Sequence, residues 1–330
     1  MDKNNTLNIT NTNIILDIID KYNVIRTNYI NDGSNNVYIN KQIDKIYVIN
    51  LETDVIRGKY IITIMKKNNI NFEMITVPKL SEETYNIVGN KQITIGELGC
   101  YISHLYCLND CIKNKHENIL IFEDDIIFHK NFHELFETIY KKQKYNILML
   151  GAADFNFSKN NFKAVDNINN TYKPDVKGRH LYGTHAIMYS LEGAKYTFEI
   201  SLKDTTFFDC NFIQFFEKFE DSAFICFPNL VIAELSTTNL KHHFSIINSE
   251  TREKYYYKSC FNNLFRFEDY NFIYLDFLKN CIINESLTYE DNINNMLTKK
   301  YRKNTSLIEK IKKRMVYDFF TVEDLIHISK

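Results

Sequence analysis

Apolar positions along the chain fall into short runs that alternate with stretches of helical periodicity. Residues 45–51, Lys-Ile-Tyr-Val-Ile-Asn-Leu, read as a strand. Residues 54–69 place Ile56, Tyr60, Ile61 and Ile64 on one helical face. A second strand follows at 71–77. Thr94 and Glu97 then stand at capping-box spacing and open a helix running to about residue 113. Its buried face is Leu98, Tyr101, Ile102, Leu105, Leu108 and Ile112. Further strands are predicted at 119–122, 145–150, 186–190 and 223–227, with helices at 133–141, 191–201 and 207–219. Strands alternating with helices over 45–228 predict an α/β fold around a central sheet.

The two ends break this pattern. Residues 1–43 read as an N-terminal appendage. Ile14, Ile15, Ile18, Ile19 and Tyr22 mark one helix face, and strands at 24–30 and 37–39 flank a turn-rich Asn31-Asp32-Gly33-Ser34 as a hairpin. Residues 44–250 form the main domain, with a long polar loop at 155–180. From 251 to 330 the composition shifts to Lys, Asn and Tyr, which predicts a helical C-terminal region serving acceptor docking or oligomerisation. Its basic runs at 299–303 and 310–314 read as solvated helix faces, with a polyanion-binding patch as the minority reading.

One strand carries chemistry. Ile119 to Phe122 run straight into Glu123, Asp124 and Asp125 before Ile126, Ile127 and Phe128 resume the apolar run. Three adjacent carboxylates repel one another and are costly to bury without a cation. They belong at the carboxyl end of a strand, where ligands collect in open α/β sheets. Oxygen-rich clusters of this kind suit Mg²⁺ or Mn²⁺. The bland reading is a solvated acidic turn. Arg57 lies in the first turn of its helix, where a cation opposes the helix dipole. It either faces a bound anion or is a solvated partner of Glu52 or Asp54. Cys100, His104, Cys107 and Cys111 share one helix but span about 16 Å along it. At most one i, i+4 pair could reach a single metal, and nothing in the pattern supplies the rest, so zinc is rejected.

Composition narrows the function. In 330 residues the formal net charge is −1, which gives no global field for nucleic acid or anionic membranes. The 7 cysteines show no disulfide spacing, and the first residues lack the apolar core of a signal peptide, so a reducing, cytoplasmic setting is expected. No run reaches the roughly 18 apolar residues of a membrane helix.

The order of segments resembles glycosyltransferase family 25, which includes lipopolysaccharide glycosyltransferases and collagen galactosyltransferases. The resemblance rests on Ile-Tyr-Val-Ile-Asn-Leu with Arg57 beyond it, on Ile93–Leu105 (I-T-I-G-E-L-G-C-Y-I-S-H-L), on I-L-I-F-E-D-D at 119–125, and on G-T-H-A-I-M-Y-S-L-E-G-A at 183–194. Phe207-Phe208-Asp209 with Phe227–Val231 is a weaker fifth piece. The family usually carries a second Arg beside Arg57, where this chain has Gly58.

The resemblance implies a GT-A-like fold, a UDP-sugar donor carrying galactose or glucose, Mn²⁺ (or Mg²⁺) and an inverting reaction on a glycan or hydroxylysine-containing protein. By resemblance, Asp125 and Asp124 hold the metal. Asn50, Leu51, Arg57, Gly96, Glu97, Ser103, His104, Glu123 and Asp124 serve the donor, and Gly183, Thr184 and His185 the acceptor. His104 either donates to a phosphate or satisfies buried polar groups, and His185 either lines the cleft or is structural. An inverting transfer needs a base on the acceptor side. Asp209 is the first candidate and Asp154 the second; Asp209 could instead be a helix N-cap. Homo-oligomerisation stays open. A nucleotidyltransferase would need a Gly- and Lys/Arg-rich phosphate loop that is not visible. A transferase-like fold without catalysis is the non-enzyme alternative.

Overall fold

The computed structural model describes residues 3–31, 36–88, 93–154, 170–174, 181–203, 208–233 and 269–270. Helix α1 (Lys3–Lys21), strand β1 (Ile25–Tyr29) and helix α2 (Tyr38–Gln42) lead into β2 (Lys45–Leu51), α3 (Val55–Lys67) and β3 (Phe72–Val77). Next come α4 (Glu82–Val88), α5 (Ile95–Asn114), β4 (Asn118–Glu123), β5 (Ile126–Phe128), α6 (Phe132–Tyr140) and β6 (Ile147–Met149). Short strands β7 (Ala153–Asp154), β8 (Thr171–Tyr172) and β9 (Leu181–Tyr182) precede β10 (Ala186–Ser190) and α7 (Leu191–Lys203). A 3-10 turn (Phe208–Asn211), α8 (Phe212–Lys218), β11 (Ala223–Cys226) and β12 (Val231–Ala233) complete the described elements.

Eight strands form one mixed sheet in the order β1-β3-β2-β4-β10-β6-β11-β8. Strand β2 runs parallel to β3 and to β4, while β10 is antiparallel to both β4 and β6. The period of two along β4 explains the layering. Ile119 and Ile121 pack with Leu98, Tyr101, Leu105 and Leu108 of α5 on one face. Leu120 and Phe122 pack with Tyr60 and Ile61 of α3 and Phe132 and Phe136 of α6 on the other. With both faces covered, β4 has no polar side, which is why its sequence is an unbroken apolar run. Truncating fully buried Phe122 to Ala should cost about 3–5 kcal/mol.

The predicted α/β alternation is observed, and the architecture is that expected of a GT-A-like fold. The Thr94–Glu97 capping box is formed in full, with Glu97 N–H donating to Thr94 Oγ1 at 3.2 Å and Thr94 N–H to Glu97 Oε2 at 2.6 Å. Three expectations change. The hairpin at 24–39 does not form: residues from Tyr38 are helical, and β1 pairs antiparallel with β3 instead. The reason lies in Arg26, whose guanidinium reaches Glu73 of β3 at 2.7 Å and Asp110 of α5 at 2.6 Å. The stretch 1–43 is therefore no mere appendage. It supplies an edge strand, and α1 buries Ile15 and Ile19 in the α5 layer. Helix α4 adds an element that the hydrophobic pattern does not predict. Of the C-terminal region, Asp269 and Tyr270 are described. Tyr270 is fully buried and donates its hydroxyl to the Asn229 carbonyl, so that region contributes to the core of the main domain. The rest of the expected helical region lies outside the described residues, as do 155–169 and 175–180 of the long loop.

Candidate active site

Sheet order decides what meets the acid turn. Strand β4 ends at Glu123, and its parallel neighbour β2 ends beside it at Asn50 and Leu51. On the other side β10 begins at Ala186, so Gly183, Thr184 and His185 enter at the same edge. The backbone N–H of Glu123 donates to the His185 carbonyl at 2.9 Å. Segments far apart in sequence thus converge at the carboxyl end of β4, the usual ligand edge of such sheets.

Glu123 is surrounded by donors. His104 Nε2 lies 3.1 Å from its Oε1, the Cys100 thiol donates to the same oxygen at 3.6 Å, and the Thr184 hydroxyl also donates to it. Burial would raise this carboxyl, but the hydrogen bond and charge of His104, with Thr184, outweigh it and hold the group low. The Cys100 thiol is pushed well above its ordinary value by burial and then by the Glu123 charge, so it acts as a neutral donor. His104 is fully buried against Phe208, their ring centroids 4.8 Å apart, and its Nδ1 has no partner among the described residues.

Glu123 thus supplies the third group that a zinc reading of the Cys100–His104 pair lacked, with the three ligand atoms within 4.8 Å of one another. The hydrogen-bond pattern still favours a polar cluster. A metal-ligating histidine nearly always donates its other ring N–H to a partner. Among the described residues Nδ1 has no such partner.

The two aspartates are held differently. Arg57 Nη2 lies 2.8 Å from Asp124 Oδ1 and 2.6 Å from Asp125 Oδ2. Asn50 Nδ2 donates to Asp124 Oδ2 at 2.6 Å and to the Asp54 carbonyl at 3.3 Å. The solvated reading of Arg57 does not describe this arrangement: its side chain is only 16 % exposed and pairs with Asp124 and Asp125. The parallel pairing of β2 with β4 puts the start of α3 beside that turn, a placement the sequence does not display. Gly58 has its own reason. A Cβ there would come within 3.0 Å of Asn50 Oδ1, so the glycine leaves room for the amide that holds Asp124.

Arg57 does not fully offset burial. Asp125 is pushed up to about 7 by burial and by Glu123 and Asp124, against the pull of Arg57. Asp124 is raised as well, again chiefly by burial. Asp125 Oδ1 is buried without a hydrogen-bond partner among the described residues. Two hard carboxylates, one with a spare buried oxygen, fit a divalent cation such as Mn²⁺ or Mg²⁺.

The acceptor-side residues are tightly placed. Gly183 adopts φ +106°, a left-handed value, and a Cβ would come within 3.0 Å of His185 Nδ1. His185 is buried, its Nε2 donates to the Val231 carbonyl at 3.3 Å, and burial lowers its pKa, so it stays neutral at pH 7. Asp209 stands in the 3-10 turn before α8, whose N-cap is Asn211. The N-cap reading of Asp209 is therefore set aside. Burial raises its carboxyl to about 6, with Glu123 and Glu97 adding to the rise and the backbone N–H groups of Gly183 and Asp209 itself opposing it. Asp209 thus shares the field of the acid turn.

Asp154 is buried in β7, where the Tyr172 hydroxyl donates to its Oδ2 at 3.4 Å. Ser103 donates to the Gly99 carbonyl of its own helix at 2.7 Å. Glu97 is committed to the α5 cap, and Gly96 lies in that helix's first turn. Leu51 is 37 % exposed at the end of β2. Cys100 is the functional-site neighbour that sequence reasoning missed. Its signal was the i, i+4 spacing to His104, which puts both on one helix face toward β4.

Residues 43–194 match the family model described as glycosyltransferase family 25 (LPS biosynthesis protein). The chain is 34 % identical over 163 residues to a Haemophilus influenzae protein named "Putative glycosyltransferase", covering 47 % of this chain and 56 % of that protein. It is 32 % identical over 111 residues to procollagen galactosyltransferase 2 of Mus musculus, 32 % of this chain and 17 % of that one. A third relative, lipooligosaccharide biosynthesis protein lex-1 of H. influenzae, is 43 % identical over 47 residues, 14 % of this chain and 16 % of that protein. The chain therefore spans little more than half the length of the first relative and about a sixth of the other two. Residues 43–194 are thus similar to glycosyltransferase family 25. No helix among the described residues is long and apolar enough to cross a membrane.

Proposed function

We propose that this chain is a cation-assisted, inverting glycosyltransferase that moves a hexose, galactose or glucose, from a UDP-sugar to a hydroxyl on a glycan or hydroxylysine-containing protein. The observation that carries the reading is the shared edge. A raised carboxyl, Asp209, stands in the field of an acid turn whose Asp125 keeps a spare buried oxygen. The names of the relatives, a lipooligosaccharide biosynthesis protein and a procollagen galactosyltransferase, suggest the two acceptor classes.

Asp124 and Asp125 would hold the cation, whose chemistry is Lewis-acid neutralisation of the departing diphosphate. The chain's own groups do the rest. Asp209 accepts the acceptor's proton: with a pKa of about 6 it is ionised at pH 7 and more basic than an ordinary aspartate. His104, Thr184 and Cys100 fix Glu123 as a stationary anion, which keeps Asp209 basic. Gly183 and His185 shape the edge where the acceptor enters.

The test is a panel of UDP-sugars assayed for hydrolysis and transfer with and without Mn²⁺, alongside calorimetry with UDP. Cation-dependent UDP binding and turnover of one UDP-hexose are expected. Cation-dependent binding with no turnover of any sugar would instead mark a binding protein built on a transferase fold.

A further inference from the structure

We propose that Arg57 is the resident counter-cation of the Asp124–Asp125 pair. A divalent cation and a donor diphosphate displace it together, the guanidinium passing from the carboxylates to the phosphates. This inference rests on the proposed function above and adds a coupling between its two ligands.

The contact is close but incomplete. A single nitrogen, Nη2, lies 2.8 Å from Asp124 and 2.6 Å from Asp125, in place of the two-nitrogen fork that makes Arg–carboxylate pairs strong. Among the described residues, Arg57 Nε is buried with no partner, and so is Asp125 Oδ1. The two orphans have opposite needs. Nε lacks an acceptor, which a phosphate oxygen supplies; Oδ1 lacks a cation, which a metal ion supplies. A metal–diphosphate pair satisfies both at once, and neither component alone does so.

A divalent ion on the Asp124–Asp125 pair and the guanidinium already there carry like charge and repel, so the two compete for the pair. The side chain retains 16 % exposure, so part of it reaches solvent. Asn50, which holds Asp124 from the other side, keeps that carboxylate in place when Arg57 leaves. Cation and UDP therefore strengthen each other's binding, and Arg57 carries much of that coupling.

The experiment uses the full chain. Free Mn²⁺ is followed by electron paramagnetic resonance during titration, with and without saturating UDP, for the parent, Arg57→Met and Arg57→Gln. Circular dichroism checks each fold, and Arg57→Gln, which keeps hydrogen-bond donors, serves if Arg57→Met does not fold. The parent should bind Mn²⁺ weakly alone and at least about tenfold more tightly with UDP. In the variants Mn²⁺ alone should bind about tenfold more tightly than to the parent, and the enhancement by UDP should shrink. If the parent shows UDP-dependent Mn²⁺ binding and a folded variant binds Mn²⁺ alone no more tightly, with the enhancement intact, Arg57 is not the gate and the proposed function stands. If no protein binds Mn²⁺ even with UDP, the cation of the proposed function is refuted and this inference with it.

Discussion

Glu123 and Asp125 are two residues apart, yet their surroundings push them in opposite directions. Glu123 meets three neutral or histidine donors on one oxygen and is held low. Asp125 meets one guanidinium nitrogen, keeps one oxygen bare, and is pushed up to about 7. The difference comes from the end of β4. Glu123 is its last residue and points toward α5 and β10; Asp124 and Asp125 are in the turn and face the start of α3. One short acidic word therefore holds a settled anion and an unsettled one. The settled anion tunes a neighbour, and the unsettled pair has something left to bind.

The largest expected effect tests the settled side. If burial and the Glu123 field together make Asp209 a base, Asp209→Asn should lower sugar transfer by about 10²–10⁴-fold with UDP affinity nearly unchanged. In the parent, the rate should rise with pH through about 6 and level off above it. Stability should respond with the opposite sign. A carboxyl with a raised folded-state pKa favours its protonated form in the fold. Its stabilisation is complete below the unfolded value near 3.9 and lost as pH rises through about 6. Asp209→Asn should therefore melt at a higher temperature than the parent at pH 7.5. A transfer rate within about threefold of the parent would move the base elsewhere, with Asp154 next.

On the unsettled side, Asp125→Asn should abolish Mn²⁺-dependent UDP binding in calorimetry. The same variant should resist urea better than the parent at pH 8, because the ionised carboxyl is disfavoured there despite Arg57. Retained cation-dependent binding in a folded variant would break the assignment. A smaller effect separates the two sides further. His104→Leu removes the main partner of Glu123 and should cost about 1–3 kcal/mol in urea melts. It should leave Mn²⁺ binding within about twofold, since the aspartates keep Arg57 and Asn50 and mutations at sites without shared partners act nearly independently.

Much of this comparison was legible in the chain and part was not. The acid turn stood out because Ile119–Phe122 must be buried on both faces and three carboxylates must not. The α5 cap was legible because Thr94 and Glu97 are local partners. Asp209 is pointed to by the family resemblance. What the chain hid was pairing between distant segments. Arg57 meets Asp124 because β2 lies parallel to β4, and β1 joins β3 because Arg26 reaches Glu73 and Asp110. The hairpin was misread for the same cause: local turn chemistry at 31–34 suggested a neighbour, and a buried acid across the sheet supplied a better one. Cys100 was dismissed because its third partner came from another element.

The smallest prediction asks why Gly58 stands where the family usually has Arg. Two opposing terms meet at this position. Gly58 lies inside α3, where replacing glycine by alanine normally stabilises a helix by about 1 kcal/mol. The new Cβ would come within 3.0 Å of Asn50 Oδ1. Asn50 cannot easily give way, because its Nδ2 is held by Asp124 at 2.6 Å and by the Asp54 carbonyl at 3.3 Å. Overpacking against such a side chain costs about 1–3 kcal/mol. Gly58→Ala should therefore destabilise the protein by no more than about 2 kcal/mol. The cycle with Asn50→Ala decides whether Asn50 is the cause. With the amide gone, the clash is gone, and Gly58→Ala should become stabilising by about 1 kcal/mol. If its effect is the same in both backgrounds, the glycine answers to some other neighbour, and its role in holding the Asp124 side is refuted.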